Sequence, residues 1–351
     1  MRDQFDREIT YIRVSVTDRC NLRCVYCMPE EGIPCVSHRD ILTFDEIVRI
    51  CRAGAELGIS RIKLTGGEPL VRKGLPDLVG MLKAIPGIEQ VTLTTNGILL
   101  REQINELVSN GLDAVNISID TLDAERYHRI TRLGRLEDAL AGLNAACSCP
   151  QLAVRVNCVP LRQAVECEGE GYLPEEEEYI RMALLAQDRK IDVRFIEMMP
   201  IGMGREFAGR TGEEIQTILE RRFGKAGRVK GSVGNGPASY IQFEGMRGRI
   251  GFISAVTHKF CGSCNRIRLT SEGMIKPCLQ YDTGVDLRKI LRAEEQTDEQ
   301  LREALQRAVF RKPSGHRFEA PGTGEGRDNE GNETAAMPLE TREMSQIGGE
   351  I

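Results

Sequence analysis

Ile12, Val14 and Val16 alternate with Arg13 and Ser15, the period-two pattern of a strand with one apolar and one polar face. Comparable strands fall near residues 60 to 65, 90 to 95, 113 to 119, 152 to 158 and 191 to 196, and helical periods near 75 to 84, 101 to 109, 135 to 146 and 176 to 187 lie between them. A further helix opens at Thr43, with Glu46 three residues on as in a capping box and Ile47, Val48, Ile50, Cys51 and Leu57 as its apolar stripe. Such alternation predicts an α/β fold with a parallel sheet, here a partial (βα)6 barrel of TIM type. Functional groups of such barrels gather at the C-terminal ends of the strands.

Strands of ordinary parallel sheets are apolar on both faces. Here Arg61 and Lys63 share a face, as do Asn116, Ser118 and Asp120, while Arg155 and Asn157 alternate with Val154, Val156 and Cys158. Arg13 and Arg194 fit the same pattern. Enclosing guanidinium groups costs roughly several kcal/mol per ion without compensation. The polar face therefore predicts a ligand with several negative charges; for any single residue, a solvated strand edge is the alternative.

The first strand runs into Cys20-Asn21-Leu22-Arg23-Cys24-Val25-Tyr26-Cys27. Three thiols on one short loop suit a metal. A structural zinc closes with a fourth ligand, whereas a cubane iron–sulfur cluster on three cysteines leaves one iron open to a small molecule. Three unrelated buried thiols are the plain alternative.

The 351 residues, 41% apolar, are enough for one large domain or two ordinary ones. Met1 to Thr10 is too charged for a signal peptide, and no apolar run reaches the length of a membrane span. These features place the chain in the cytosol, or in an organelle matrix if a transit peptide has been removed. There, 12 cysteines argue for metal chemistry over disulfides. Cys35, Cys51, Cys147, Cys149, Cys158 and Cys167 read as buried or incidental thiols. A net charge of −5 disfavours nucleic acid as a partner. The chain has no G-x-x-x-x-G-K-[ST], H-E-x-x-H or G-x-S-x-G segment, so phosphate binding falls to side chains.

Leu161 to Glu178 is an acidic connection whose last glutamates suit the first turn of a helix. Gly224 to Pro237 is glycine-rich and reads as a boundary. Beyond it, Cys261-Gly-Ser-Cys264 and Cys278 form a second set of three thiols, with Arg266 and Arg268 on one face of a strand over Asn265 to Thr270. A zinc ribbon, with His258 as the nearest fourth ligand, is one alternative. Phe318 to Ala336 has the composition of a flexible linker. The expected division is a barrel over 1–223, a smaller cluster-binding domain over 224–317 and a flexible tail over 318–351.

The spacing of three and then two residues between cysteines, with Tyr26 before the last, resembles the radical S-adenosylmethionine superfamily. Thr65-Gly66-Gly67-Glu68-Pro69 at the end of the second strand resembles that superfamily's motif for the methionine amino group, which Glu68 is expected to receive. YIRVSVTDRCNLRCVYC, TTNG, NISID, RFIEMM, FCGSCNRIRLT and the Gly-Gly near the C-terminus narrow the resemblance, over nearly the whole chain, to the GTP 3′,8-cyclase family of molybdenum-cofactor biosynthesis.

That resemblance implies two 4Fe–4S clusters, on Cys20, Cys24 and Cys27 and on Cys261, Cys264 and Cys278, the second binding guanine. It implies an S-adenosylmethionine site at Tyr26, Gly67, Ser118 and Met199, and a GTP site at Arg13, Lys63, Thr94, Arg155, Arg266 and Arg268, with Arg61 and Arg194 in support. Gly348 and Gly349 would enter the site from the tail. Lys63 stands where the family leads us to expect arginine, Arg155 where it leads us to expect lysine, and Glu350-Ile351 extend past the usual terminal glycines. Also implied are an electron donor, hand-over of product to cyclic pyranopterin monophosphate synthase, and a homodimer as a candidate assembly. A radical enzyme acting on peptides and a non-catalytic iron–sulfur or zinc protein are the competing readings. The cationic face disfavours the first, and the Gly-Gly-Glu-Pro segment is left unexplained by the second.

Overall fold

A computed structural model describes residues 1–162, 174–229, 234, 236–318 and 337–347. Among these residues the strands are β1 (Tyr11–Ser15), β2 (Arg61–Thr65), β3 (Gln90–Thr95), β4 (Ala114–Ser118), β5 (Ala153–Cys158), β6 (Asp192–Ile196), β7 (Gly227–Arg228), β8 (Ser239–Gln242), β9 (Arg249–Ile253), β10 (Arg266–Leu269), β11 (Met274–Lys276) and β12 (Val285–Asp286). The helices are α1 (Phe44–Glu56), α2 (Leu75–Lys83), α3 (Leu100–Ser109), α4 (Ala124–Thr131), α5 (Leu136–Cys147), α6 (Glu175–Leu184), α7 (Gly212–Phe223), α8 (Leu287–Leu291) and α9 (Asp298–Phe310).

β1 to β6 pair in chain order, all parallel, as the alternation of strand and helix requires. Ile12, Val14, Ile62, Leu64, Val91, Leu93, Val115, Ile117, Val156 and Val193 are buried on the face covered by helices. Each such side chain contributes about 1.5 to 3 kcal/mol by leaving water. The opposite face is polar and curves around a cavity to which β1 to β6 all contribute side chains. α1 begins with the expected capping box: Thr43 accepts from the Glu46 N–H, and the Glu46 carboxylate accepts from the Thr43 N–H at 2.7 Å. α6 carries Glu175 to Glu178 in its first turn.

The segment after residue 224 does not build a separate sheet. β9 joins β6 and β10 joins β1, both in parallel, so later strands extend both edges of the first six into one twelve-stranded sheet. The part of the tail described, 337–347, is packed against the barrel. Leu339 bridges Tyr281, and a 3-10 turn over Met344–Ile347 buries Met344, Ser345 and Ile347. Met344 and Ile347 join a second apolar cluster with Tyr26, Met198, Met199, Leu279 and Phe318. Composition could not reveal this, because two apolar anchors suffice to dock a short segment when a ready-made apolar patch receives them. Among the described residues no helix is long and apolar enough to cross a membrane.

Candidate active site

The loop of Cys20, Cys24 and Cys27 is held from two directions. Arg23 and Val25 donate their N–H groups to the Thr131 and Ile130 carbonyls at the end of α4 (3.0 and 2.9 Å). On the other side, the Gly67 N–H donates to the Thr17 carbonyl and the Glu68 N–H to the Arg19 carbonyl, both at 2.8 Å. A Cβ on Gly67 would lie 2.3 Å from the Arg19 carbonyl oxygen, and one on Gly66 2.6 Å from that of Thr17. The two glycines therefore let the β2 turn press against the chain entering the cysteine loop. Glu68, expected to receive an ammonium group, also braces the loop: its buried carboxylate accepts from the Leu70 N–H, the Thr95 hydroxyl and the Asn96 N–H. It ties β2 to the end of β3.

Tyr26 donates its hydroxyl to Asp120 at 2.6 Å, and Asp120 also accepts from the Val159 N–H. Burial raises both groups, so proton and hydrogen bond stay in place. Burial, then Glu68, pushes Cys20 up to about 12. Cys24 lies well above its ordinary value through burial and its neighbours Cys27 and Cys20. Cys27 rises to about 12 through burial, Cys20 and Glu343, against the Ser345 backbone, which lowers it. Burial thus favours the protonated thiols, and an iron core held by Cys20, Cys24 and Cys27 would supply the charge that releases the protons.

The second set has the opposite electrostatics. Burial raises Cys264, but Lys312 and Arg266 outweigh it and bring the thiol down to about 6. Cys261 is raised by burial, partly offset by the His316 N–H that donates to its sulfur at 3.4 Å. The Lys312 ammonium is fixed by the Arg266 and Pro277 carbonyls (2.8 and 2.6 Å). Arg7, paired with buried Asp3, donates to the carbonyls of Cys261, Pro313 and Ser314. An N-terminal segment thus clamps the Cys261 loop to the stretch carrying Lys312 and His316.

None of the described cysteines is in a disulfide. Among the described residues no three His, Cys, Asp or Glu side chains draw together as the ligands of one ion do. His258, the zinc alternative's fourth ligand, is exposed and paired with Glu213 at 3.0 Å.

Cys261, Cys264 and Cys278 share a cavity with Arg13, Lys63, Arg155, Arg194, Arg266, Arg268 and Met199. Register explains the convergence. Arg268, Arg13 and Lys63 stand side by side on β10, β1 and β2, while Arg194 stands opposite Asn157, to which it donates through Nε at 3.0 Å. Arg155 is 3.6 Å from Asp192, which is also gripped by Arg249 at 2.8 and 3.0 Å. Arg266 lies over the Phe260 ring, 4.8 Å from its centroid.

Some expected positions do not line this cavity. Thr94 is buried on β3, where its hydroxyl accepts from Asn116 at 3.0 Å. Arg61 lies near Glu89, 3.9 Å away. Tyr26, Gly67 and Ser118 surround the first cysteine loop or end β4, outside the cavity lining. Gly348 and Gly349 fall outside the described residues. Sequence reasoning missed Lys312, His316, Gln280 and Phe260 in the lining. A lone lysine or histidine in a loop gives no periodic signal, and only the fold brings these residues to the cysteines.

Residues 14–155 match the model of the radical SAM superfamily and residues 191–318 that of Molybdenum Cofactor Synthesis C. The barrel resembles Streptococcus suis SuiB bound to precursor peptide SuiA, with a TM-score of 0.58 and 14% identity over 88% of this chain and 66% of that one, a likeness of fold alone. A strand-end loop of three thiols, braced by Gly-Gly-Glu-Pro on a parallel barrel, defines a radical S-adenosylmethionine enzyme. That class carries a 4Fe–4S cluster and S-adenosylmethionine. The GTP 3′,8-cyclase of Clostridium perfringens (strain 13 / Type A) is 43% identical over 91% of this chain and 95% of its own length. That of Heliobacterium modesticaldum is 43% identical over 99% of this chain and 100% of its own. The chain belongs to the GTP 3′,8-cyclase family.

Proposed function

We propose that this chain converts GTP to 3′,8-cyclo-7,8-dihydro-GTP, the opening step of molybdenum-cofactor biosynthesis, with Cys20, Cys24 and Cys27 holding the S-adenosylmethionine cluster and Cys261, Cys264 and Cys278 a second cluster for guanine. When bound, the first cluster and S-adenosylmethionine supply a 5′-deoxyadenosyl radical that takes the 3′ hydrogen of GTP. The chain's own work is to position the nucleotide and exclude water. Arg13, Lys63 and Arg268 present adjacent cations to the triphosphate, with Arg155, Arg194 and Arg266 beside them. Thr94 acts from behind the lining by fixing Asn116. Tyr26, Gly67, Ser118 and Met199 border S-adenosylmethionine, Gly67 by holding the cysteine loop close to β2.

The observation carrying this reading is the opening of the in-register cations Arg268, Arg13 and Lys63 into the cavity that holds the second cysteine set. A peptide substrate has no comparable demand for cations. The reaction also takes up two electrons and one proton from outside, one electron to cleave S-adenosylmethionine and the other, with the proton, to quench the nucleotide radical left when C3′ joins C8, so a cytoplasmic reductant is part of the proposal. Its product passes to cyclic pyranopterin monophosphate synthase, and the enzyme works alone or as a homodimer. The test is paramagnetic resonance of the reconstituted enzyme under anaerobic conditions. GTP is expected to perturb the second cluster's spectrum in the native chain and to produce no such change in Cys264→Ala. An unaltered native spectrum at saturating GTP contradicts the substrate-cluster assignment.

A further inference from the structure

Residues 338–347 run from one cysteine set to the other. At the near end the Asp282 N–H donates to the Pro338 carbonyl and the Glu340 N–H to the Gln280 carbonyl (2.8 and 2.7 Å), so the tail lies along the segment that directly follows Cys278. Glu340 is buried in an ion pair with the equally buried Lys276, two residues before Cys278. Arg342 grips the same carboxylate at 2.9 Å and also reaches Asp282 at 3.1 Å. Further on, the Met203 N–H donates to Glu343 at 3.0 Å. At the far end Met344 and Ile347 pack into the apolar cluster against which Cys27 lies, and the Ser345 backbone between them is placed to lower the Cys27 thiol. The Ser345 hydroxyl is buried with no hydrogen-bond partner among the described residues.

A buried hydroxyl without a partner is destabilising unless a bound group satisfies it. Here it belongs to the residue between Met344 and Ile347, which are packed in the cluster beside Cys27. A Lys–Glu pair taken out of water is likewise a costly way to hold a surface tail, and removing one partner of such a pair is strongly destabilising. The two features together mark a built attachment with a donor at its end.

We propose that residues 337–347 form a strap, locked by Lys276–Glu340 beside the second cysteine set, that places the hydroxyl of Ser345 as a hydrogen-bond donor on the first cluster and so tunes its reduction potential. Ser345 is a positioning and tuning residue; it takes no part in bond making. Hydrogen bonds to cluster sulfurs stabilise the more negative, reduced state and raise the potential. The strap therefore links the readiness of the first cluster to the order of the segment flanking the second. This inference rests on reading Cys20, Cys24 and Cys27 as cluster ligands.

Two measurements test it on the full chain. In metal-free protein, alkylation of Cys27 is expected to accelerate at least several-fold in Glu340→Gln, while Cys20, which is not among the residues packed on the cluster that Met344 and Ile347 join, keeps its rate. The paired Lys276→Met/Glu340→Leu variant, with an uncharged contact in place of the ions and Arg342 still held by Asp282, is expected to restore slow alkylation. In reconstituted protein, Ser345→Ala is expected to shift the first cluster's midpoint potential to a more negative value while leaving that of the second unchanged. Unchanged Cys27 alkylation in Glu340→Gln overturns the lock, and an unchanged potential in Ser345→Ala overturns the tuning. Absence of iron from the first set overturns the cluster reading and the tuning together, whereas the alkylation result still decides the lock.

Discussion

Arg13 and Arg268 stand opposite each other in the parallel β1–β10 pair, and Lys63 continues their row on β2. Like charges on neighbouring strands repel, so this row suits a polyanion. Arg268→Ala is expected to weaken GTP binding by about 1.5 to 3 kcal/mol, the range of a charge-assisted contact, or roughly 10- to 100-fold. Arg266→Ala should act in the same direction. Calorimetry with both ligands checks this: S-adenosylmethionine affinity is expected to change much less, and equal losses for both ligands would point to damage to the fold.

Gly67→Ala puts a methyl group 2.3 Å from the Arg19 carbonyl oxygen, a contact that only a shift of backbone can relieve. Overpacking of this kind costs about 1 to 3 kcal/mol, and the backbone that must move carries Cys20. The variant is expected to lose iron from the first set and keep it on the second. Iron analysis combined with spectroscopy of the two clusters reads the split.

Cys24→Ala and Cys264→Ala separate the two sites. The first is expected to abolish reductive cleavage of S-adenosylmethionine, seen as loss of 5′-deoxyadenosine. The second is expected to leave the first cluster's spectrum in place and to abolish the cyclised nucleotide. Undiminished 5′-deoxyadenosine in Cys24→Ala, or zinc in the second site of anaerobically purified protein, contradicts the assignment.

Thiol reactivity in metal-free protein should follow the electrostatics of each set. Cys264, brought down to about 6 from an ordinary value of 9.0, is a thiolate at pH 7 and is expected to alkylate with a midpoint near pH 6. Cys27, pushed up to about 12, should react slowly even at pH 9. The sign for stability follows from linkage. A thiol depressed on folding contributes fully above its unfolded value near 9, and that contribution fades as pH falls through about 6. A pH series of alkylation followed by peptide mass mapping measures both midpoints.

The barrel was legible because period-two strands and capped helices are local signals. β2 to β6 lie within about two residues of the expected runs, and the Thr43 capping box is present as expected. α4 gave little signal, since Ala124 to Thr131 is mostly polar, yet its end carries the cysteine loop. The cationic face was visible on each strand, but the neighbours of each residue were not, because register between strands is a non-local property. Glu68 shows the same limit. A carboxylate near a ligand motif invites a ligand role, and only the fold reveals that it also accepts from Thr95 and Asn96 at the end of β3. The docking of Met344 and Ile347 depends on a patch assembled from Tyr26, Met198 and Leu279, which lie far apart in the chain.

The most direct test of the central claim is anaerobic incubation of the reconstituted enzyme with S-adenosylmethionine, a reductant and GTP carrying deuterium at C3′. The account predicts 5′-deoxyadenosine one mass unit heavier than with unlabelled GTP. It also predicts a nucleotide that has lost that deuterium to the coproduct, is otherwise isomeric with GTP, and is separable from it by chromatography. Formation of 5′-deoxyadenosine without deuterium, with GTP recovered unchanged, would contradict it.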